Sequence, residues 1–236
     1  MSALYVALTV LSFMCSSIDY HYSGAVYRVT ADLRAFQVSA ITTQKMGHLE
    51  TFASIARRTK PIAAITGGFY DTRSNTPVGD ILIDSRLIYD GCVGPVLVVS
   101  KKTGITQIVS QAQYNTVDKK VLSFAVQTGP TLVKGGQVSI NLKAEGFGCY
   151  IVKPARRTAI GLTSAKKLIM VATKSPMSLH QLAAVMIRAG CRSAVSLDGG
   201  SSTGLYYKDK MQITPQRGMV CIIVVVRKDI HHELGR

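Results

Sequence analysis

Tryptophan is absent from the 236 residues, and aromatic residues of any kind make up only 7% of them. Charge is sparse as well: Asp, Glu, Lys and Arg together reach 17%, against 47% hydrophobic residues. That balance excludes a disordered chain and describes a globular one long enough to bury a real core. Acidic residues are the scarcest of the charged set, 13 against 28 Lys and Arg, so the net charge is +15. No repeat, low-complexity tract or linker interrupts the sequence, which points to a single domain over residues 18–236. The uncharged apolar stretch at residues 3–14 is too short for a spanning helix, so no transmembrane span is expected. Its length suits the core of a signal peptide, although the usual basic n-region is missing, and a first buried strand within residues 1–17 is the other reading. On this ground export (periplasm, cell envelope or secretion) is preferred to a cytoplasmic location.

The basic residues come as scattered pairs: Arg57-Arg58, Lys101-Lys102, Lys119-Lys120, Arg156-Arg157 and Lys166-Lys167. No long basic run or basic helix with interleaved aromatics occurs, so nucleic acid is an unlikely partner. Phosphorylated sugars, anionic glycopolymers and acidic membrane surfaces remain. The five cysteines, Cys15, Cys92, Cys149, Cys191 and Cys221, lack zinc-type spacing, and the sequence leaves open one or two disulfides or buried free thiols. The histidines are assigned no role. Nothing in the sequence gives the oligomeric state.

What is abundant is Val, Ile, Thr and Gly, a mix that favours strands and tight turns. Residues 25–33 alternate apolar and polar, and residues 36–41 read as the partner of that strand. A helix is expected at 48–58, with Leu49, Phe52, Ala53 and Ala56 on its apolar face and Pro61 beyond its end. Short strands follow at 62–65, 81–83, 95–99, 105–109 and 123–126, and a hairpin is expected from 157–162 and 168–173. A second helix is expected at 179–189, with Ser178 and Gln181 as a capping box. The continuously apolar run 220–226 predicts a central strand covered on both faces. The fold class is therefore α+β, a strand-rich mixed sheet with a few packed helices.

Two strands run into double glycines, Ile65-Thr66-Gly67-Gly68-Phe69 and Leu197-Asp198-Gly199-Gly200-Ser201-Ser202. Glycine tolerates positive φ and leaves backbone N–H groups uncovered, so such turns can cradle an anion. Ser201 and Ser202 would add hydroxyl donors, Asp198 a carboxylate, and Arg156 and Arg157 a grip for phosphate. Taken singly, each has an ordinary structural use: Asp-Gly is a common turn, and paired arginines often sit on strands with one facing water.

In order along the chain the blocks resemble the phosphodiester glycosidase family. They are Ala64-Ile65-Thr66-Gly67-Gly68-Phe69, Pro77-Val78-Gly79-Asp80, Gln127-Thr128-Gly129-Pro130, Arg157-Thr158-Ala159-Ile160-Gly161 and Leu197-Asp198-Gly199-Gly200-Ser201-Ser202. The resemblance spans residues 25–226, and the order of the blocks is more specific than any one of them. Thr66 and Ser196 stand where the family usually carries Asn. The resemblance implies hydrolysis of a sugar-1-phosphodiester to free sugar and a phosphomonoester. It implies Arg157 as the phosphate clamp and Asp198 as the group that stabilises the oxocarbenium ion or activates water. Asp80 or Asp71 would be a second carboxylate. Gly67, Gly68, Phe69, Thr128, Thr158, Gly199, Gly200, Ser201 and Ser202 would shape the substrate site. The sequence shows no cofactor site, and a divalent cation near Asp198 is left open. Two other readings stay beside it: a non-catalytic module for anionic, phosphate-bearing glycopolymers, and a nuclease-type phosphodiesterase, which would need a metal cluster the sequence does not show.

Overall fold

A computed structural model of the chain describes residues 17–228; the stretch at 3–14, Cys15 and His231-His232 lie outside them. A seven-stranded sheet runs in the order Ile18–Ser23, Val26–Asp32, Lys167–Thr173, Thr158–Thr163, Cys191–Ser196, Thr131–Lys134 and Gln137–Val138. A five-stranded sheet follows the order Lys210–Ile213, Leu205–Tyr207, Ala63–Thr66, Cys221–Arg227 and Phe36–Thr42. Another five-stranded sheet is ordered Thr106–Val109, Val96–Ser100, Leu122–Gln127, Ile81–Ile83 and Arg86–Tyr89. The strand-rich α+β class holds, but every named strand pairing is antiparallel where a mixed sheet was expected. Tight turns such as the one at Lys102-Thr103-Gly104 join some antiparallel neighbours directly, and the other antiparallel pairings bring together strands far apart in the chain.

Each sheet turns one face inward, and the three faces share a core. Val29, Ile160, Met170 and Val195 come from the seven-stranded sheet, Ile65, Ile223 and Val225 from the second, and Leu97, Phe124 and Val126 from the third. The outer faces are capped locally. Helix Leu179–Arg188 lays Leu179, Leu182, Ala183 and Met186 over Ala159, Ile169, Val171 and Ala194, with the Ser178–Gln181 capping box formed as expected. Helix Phe52–Thr59 lays Phe52, Ile55 and Ala56 over Ala64, Ile222 and Val224. Cys221–Arg227 is therefore covered on both faces, which is why its sequence does not alternate. A short helix not foreseen, Gln111–Asn115, plugs the third sheet with Tyr114.

Two further expectations are corrected. The first helix starts at Phe52, because the Thr51 hydroxyl caps it by accepting from the Ser54 N–H at 3.2 Å; Leu49 lies before the helix and is exposed. Val26–Asp32 and Phe36–Thr42 do not pair with each other. Asp32 accepts the Arg34 N–H in the turn between them, and the chain passes from one sheet to another there. Each strand buries its apolar side in the core from its own sheet, so each pairs far along the chain, with Lys167–Thr173 and Cys221–Arg227.

Candidate active site

The ends of the strands that carry the motif blocks converge. The Leu197 N–H donates to the Thr158 carbonyl at 2.9 Å, the Asp198 N–H to Gly67 at 3.1 Å, and the Gly67 N–H to Cys221 at 3.2 Å. Buried hydroxyls tie the same junction. Thr66 Oγ1 donates to the Ser202 carbonyl at 2.6 Å, Thr128 Oγ1 to Ser196 at 3.1 Å, and Thr158 Oγ1 to the Asp198 carbonyl. Gly67 is required by this crowding: a Cβ there would stand 2.2 Å from Cys221 Sγ. Thr66 and Ser196, where Asn was the family habit, are both buried in these backbone ties and do not line the cleft.

Above the junction opens a cleft of about 510 Å³. Its lining includes Asp198, Gly199, Arg157, Phe69, Tyr70 and Asp71, together with Tyr150, Lys153 and Arg217. Asp198 is only 6% exposed, and its Oδ2 stands 3.1 Å from Arg217 Nη2. Arg217 also donates from Nε to Ser202 Oγ at 2.5 Å and stacks over the Tyr70 ring at 4.7 Å. Burial pushes the Asp198 carboxyl above the usual carboxylate range, and the hydrogen bonds from Ser202, Arg217 and the Gly199 N–H offset only part of that push. The result is a carboxyl group that is desolvated, held in one orientation and open to the cleft.

Arg217 was missed in the sequence because no motif surrounds it. It sits in the loop between Lys210–Ile213 and Cys221–Arg227, and that loop is fastened to the Asp-Gly-Gly turn by the Gln216 N–H donating to Ser201 at 2.8 Å. The only signal was a lone cation between Pro215 and Gly218.

Other expected residues take different positions. Arg157 reaches the cleft wall, but its guanidinium donates to the carbonyls of Met177 at 3.1 Å, Ile151 at 2.8 Å and Lys153 at 2.5 Å. It therefore fixes the 3-10 turn Cys149–Val152, which displays Tyr150 at the mouth of the cleft. Asp80 does not line the cleft; its carboxylate accepts from the Gly91 N–H at 2.8 Å and the Tyr114 hydroxyl at 3.0 Å. Asp71 does line it, while one oxygen accepts the Arg73 N–H at 2.7 Å. The expected backbone cradle is largely committed: the N–H groups of Gly200, Ser202 and Thr203 donate to Arg156, Gly199 and Gly200, with Gly200 at φ +59°. Thr128 and Thr158 lie beneath the site, and Gly68 packs on the Gln127 carbonyl.

Among the described residues, no three His, Cys, Asp or Glu side chains gather to hold a metal ion, and Asp198 already faces the competing cation of Arg217. Cys92, Cys149, Cys191 and Cys221 are unpaired; burial pushes the Cys191 and Cys221 thiols up to about 12.

Fold and cleft together define a class: an antiparallel α+β protein of three large sheets and a two-stranded ribbon, with a buried carboxyl and a cationic rim at the strand ends. The chain belongs to the phosphodiester glycosidase family, whose sequence model matches residues 59–226. The zebrafish N-acetylglucosamine-1-phosphodiester alpha-N-acetylglucosaminidase catalytic domain, auto-inhibited by its pro-peptide, is similar in structure. Its TM-score is 0.72 at 19% identity, over 89% of this chain and 81% of that one. A hypothetical protein from Synechocystis matches at TM-score 0.65 and 15% identity, over 88% of this chain and 61% of that one. A Burkholderia pseudomallei K96243 protein named as exported matches at TM-score 0.64 and 13% identity, over 85% and 73% respectively. No protein of curated function matches the sequence at comparable significance.

Proposed function

We propose that the chain hydrolyses a sugar-1-phosphodiester by breaking the sugar C–O bond, releasing free sugar and a phosphomonoester. The observation that carries this reading is the Asp198 carboxyl, buried on the floor of a cleft rimmed by Arg217 and Lys153. A phosphate leaving group is a weak base, so it demands little of a general acid. The site must instead supply cations for the phosphate and a carboxylate near the developing oxocarbenium ion. Arg217 and Lys153 take the first role. Arg157, occupied by three carbonyls, acts as the residue that positions the cleft wall. Asp198 takes the second role or activates water, and Asp71 is the second carboxylate within the cleft.

Export accords with this reading. No helix among the described residues is long and apolar enough to cross a membrane, and one similar structure belongs to a protein named as exported.

Sugar release tests the proposal. Wild type and Asp198→Asn are incubated with a nucleotide sugar and a methyl sugar-1-phosphodiester, and phosphorus NMR follows the products. Wild type is expected to yield a phosphomonoester and free sugar, and the variant to be slower by roughly 10²–10⁴-fold. Heavy oxygen from isotopic water should enter the sugar; its appearance in the phosphate would instead mean P–O cleavage. Tight binding of these compounds with no turnover across a panel of sugars would establish the glycopolymer-binding module.

A further inference from the structure

The seven-stranded sheet carries a second cationic hollow, of about 280 Å³, between its first two strands and the last turn of helix Leu179–Arg188. His21 and Arg28 are cross-strand partners in this sheet, and both line the hollow. Arg188 closes it from the last turn of the helix. Three basic side chains thus converge with no acidic residue in the lining. The acid nearest along that strand face, Asp19, accepts from the Ser17 hydroxyl at 2.9 Å, and no ion pair joins it to Arg28 among the described residues.

The hydrogen-bonding state of Arg28 separates this cluster from an ordinary basic surface. Its Nε is shielded from solvent and has no hydrogen-bond partner. A buried N–H left unmet is unfavourable, and a cationic one more so, because it loses water without gaining an acceptor. Arg188 in the last turn also offsets the helix dipole, a use that occupies none of its donors. The planar fork of an arginine matches an oxyanion bidentately, and a second arginine with an imidazole beside it suits a tetrahedral one.

We propose that Arg28, Arg188 and His21 form a second anion site that binds a phosphate group between the two guanidinium groups and the imidazole that line the hollow. None of these residues lines the cleft, so the proposal stands whether or not the cleft hydrolyses phosphodiesters.

The test is a titration of the ¹⁵N-labelled full chain with inorganic phosphate at constant ionic strength, followed by amide and guanidinium shifts. Saturating one-site shifts are expected at His21, Arg28 and Arg188. Arg188→Gln, a change on an exposed residue, should weaken them by about tenfold, as loss of a charge-assisted bond does. Arg217→Gln in the cleft and the surface control Lys101→Gln/Lys102→Gln should leave them unchanged. Arg28→Gln should abolish the saturable site, with Arg188→Gln deciding the matter if that variant does not fold. Unsaturable shifts, no effect of Arg188→Gln, or equal weakening by the Lys101/Lys102 control would overturn the proposal. A hexose 6-phosphate binding tighter than inorganic phosphate would support it with a phosphorylated glycan as the source; the reverse order would support it with free phosphate.

Discussion

Asp32 and Asp198 show how one residue type serves opposite ends. Asp32 accepts from both the N–H and the guanidinium of Arg34, which holds its carboxyl below the ordinary value of 3.8. A group depressed in this way stabilises the fold above its unfolded value, and the contribution is lost as pH falls through the lowered folded value. Asp32→Asn should therefore lower Tm at neutral pH, with the gap to wild type narrowing below about pH 4. Thermal melts at several pH values check this, and a constant gap would show that the hydrogen-bonding shape of the side chain matters and its charge does not. Asp198 is shifted the other way, because burial outweighs its partners, and the group so destabilised as an anion is the one that lines the cleft. The motif marked Asp198 as a residue of interest. It could not show that Arg217 would hold it, since 18 residues of turn, hairpin and loop lie between the two.

At the scale of the element, local sequence was readable at the second long helix, though not at the caps of Phe52–Thr59 and Gln111–Asn115. The Ser178–Gln181 box closes between residues three apart, so helix Leu179–Arg188 was legible from its start. Ser178→Ala should destabilise the protein by about 1 kcal/mol in denaturant unfolding with no change in slope. An unchanged midpoint would mean that packing of Leu182 and Met186 on the sheet holds the helix without its cap. Strand pairing was less legible. Adjacent strands 25–33 and 36–41 looked like a hairpin, but alternation only says that a strand has a buried face; it does not say on which sheet.

Across the whole molecule the three sheets depend on contacts distant in sequence. Cys221–Arg227 lies between Ala63–Thr66 and Phe36–Thr42, and its buried run supplies both the common core and the face under the first helix. Removal of residues 221–236 should leave no cooperatively folded protein, as judged by near-ultraviolet circular dichroism and the loss of a sigmoidal melt. A truncated chain that still melted cooperatively would show that the sheets can stand independently. So many non-local pairings also favour slow folding, since loop closure precedes the contacts that stabilise it.

The sequence by itself determined the strand-rich class, the cap of helix Leu179–Arg188, the doubly covered last strand and the glycine turns that bring backbones together. These properties follow from periodicity, turn chemistry and the absence of a Cβ, all of which act within a few residues. Only the tertiary structure decided which strands share a sheet, that Arg157 turns to carbonyls and Asp80 to Tyr114, and that Arg217 faces Asp198. Those outcomes depend on which polar groups meet once the core has closed. A buried charge takes whichever partner the fold brings within hydrogen-bond reach, and nothing local to Arg157, Asp80 or Arg217 encodes that choice.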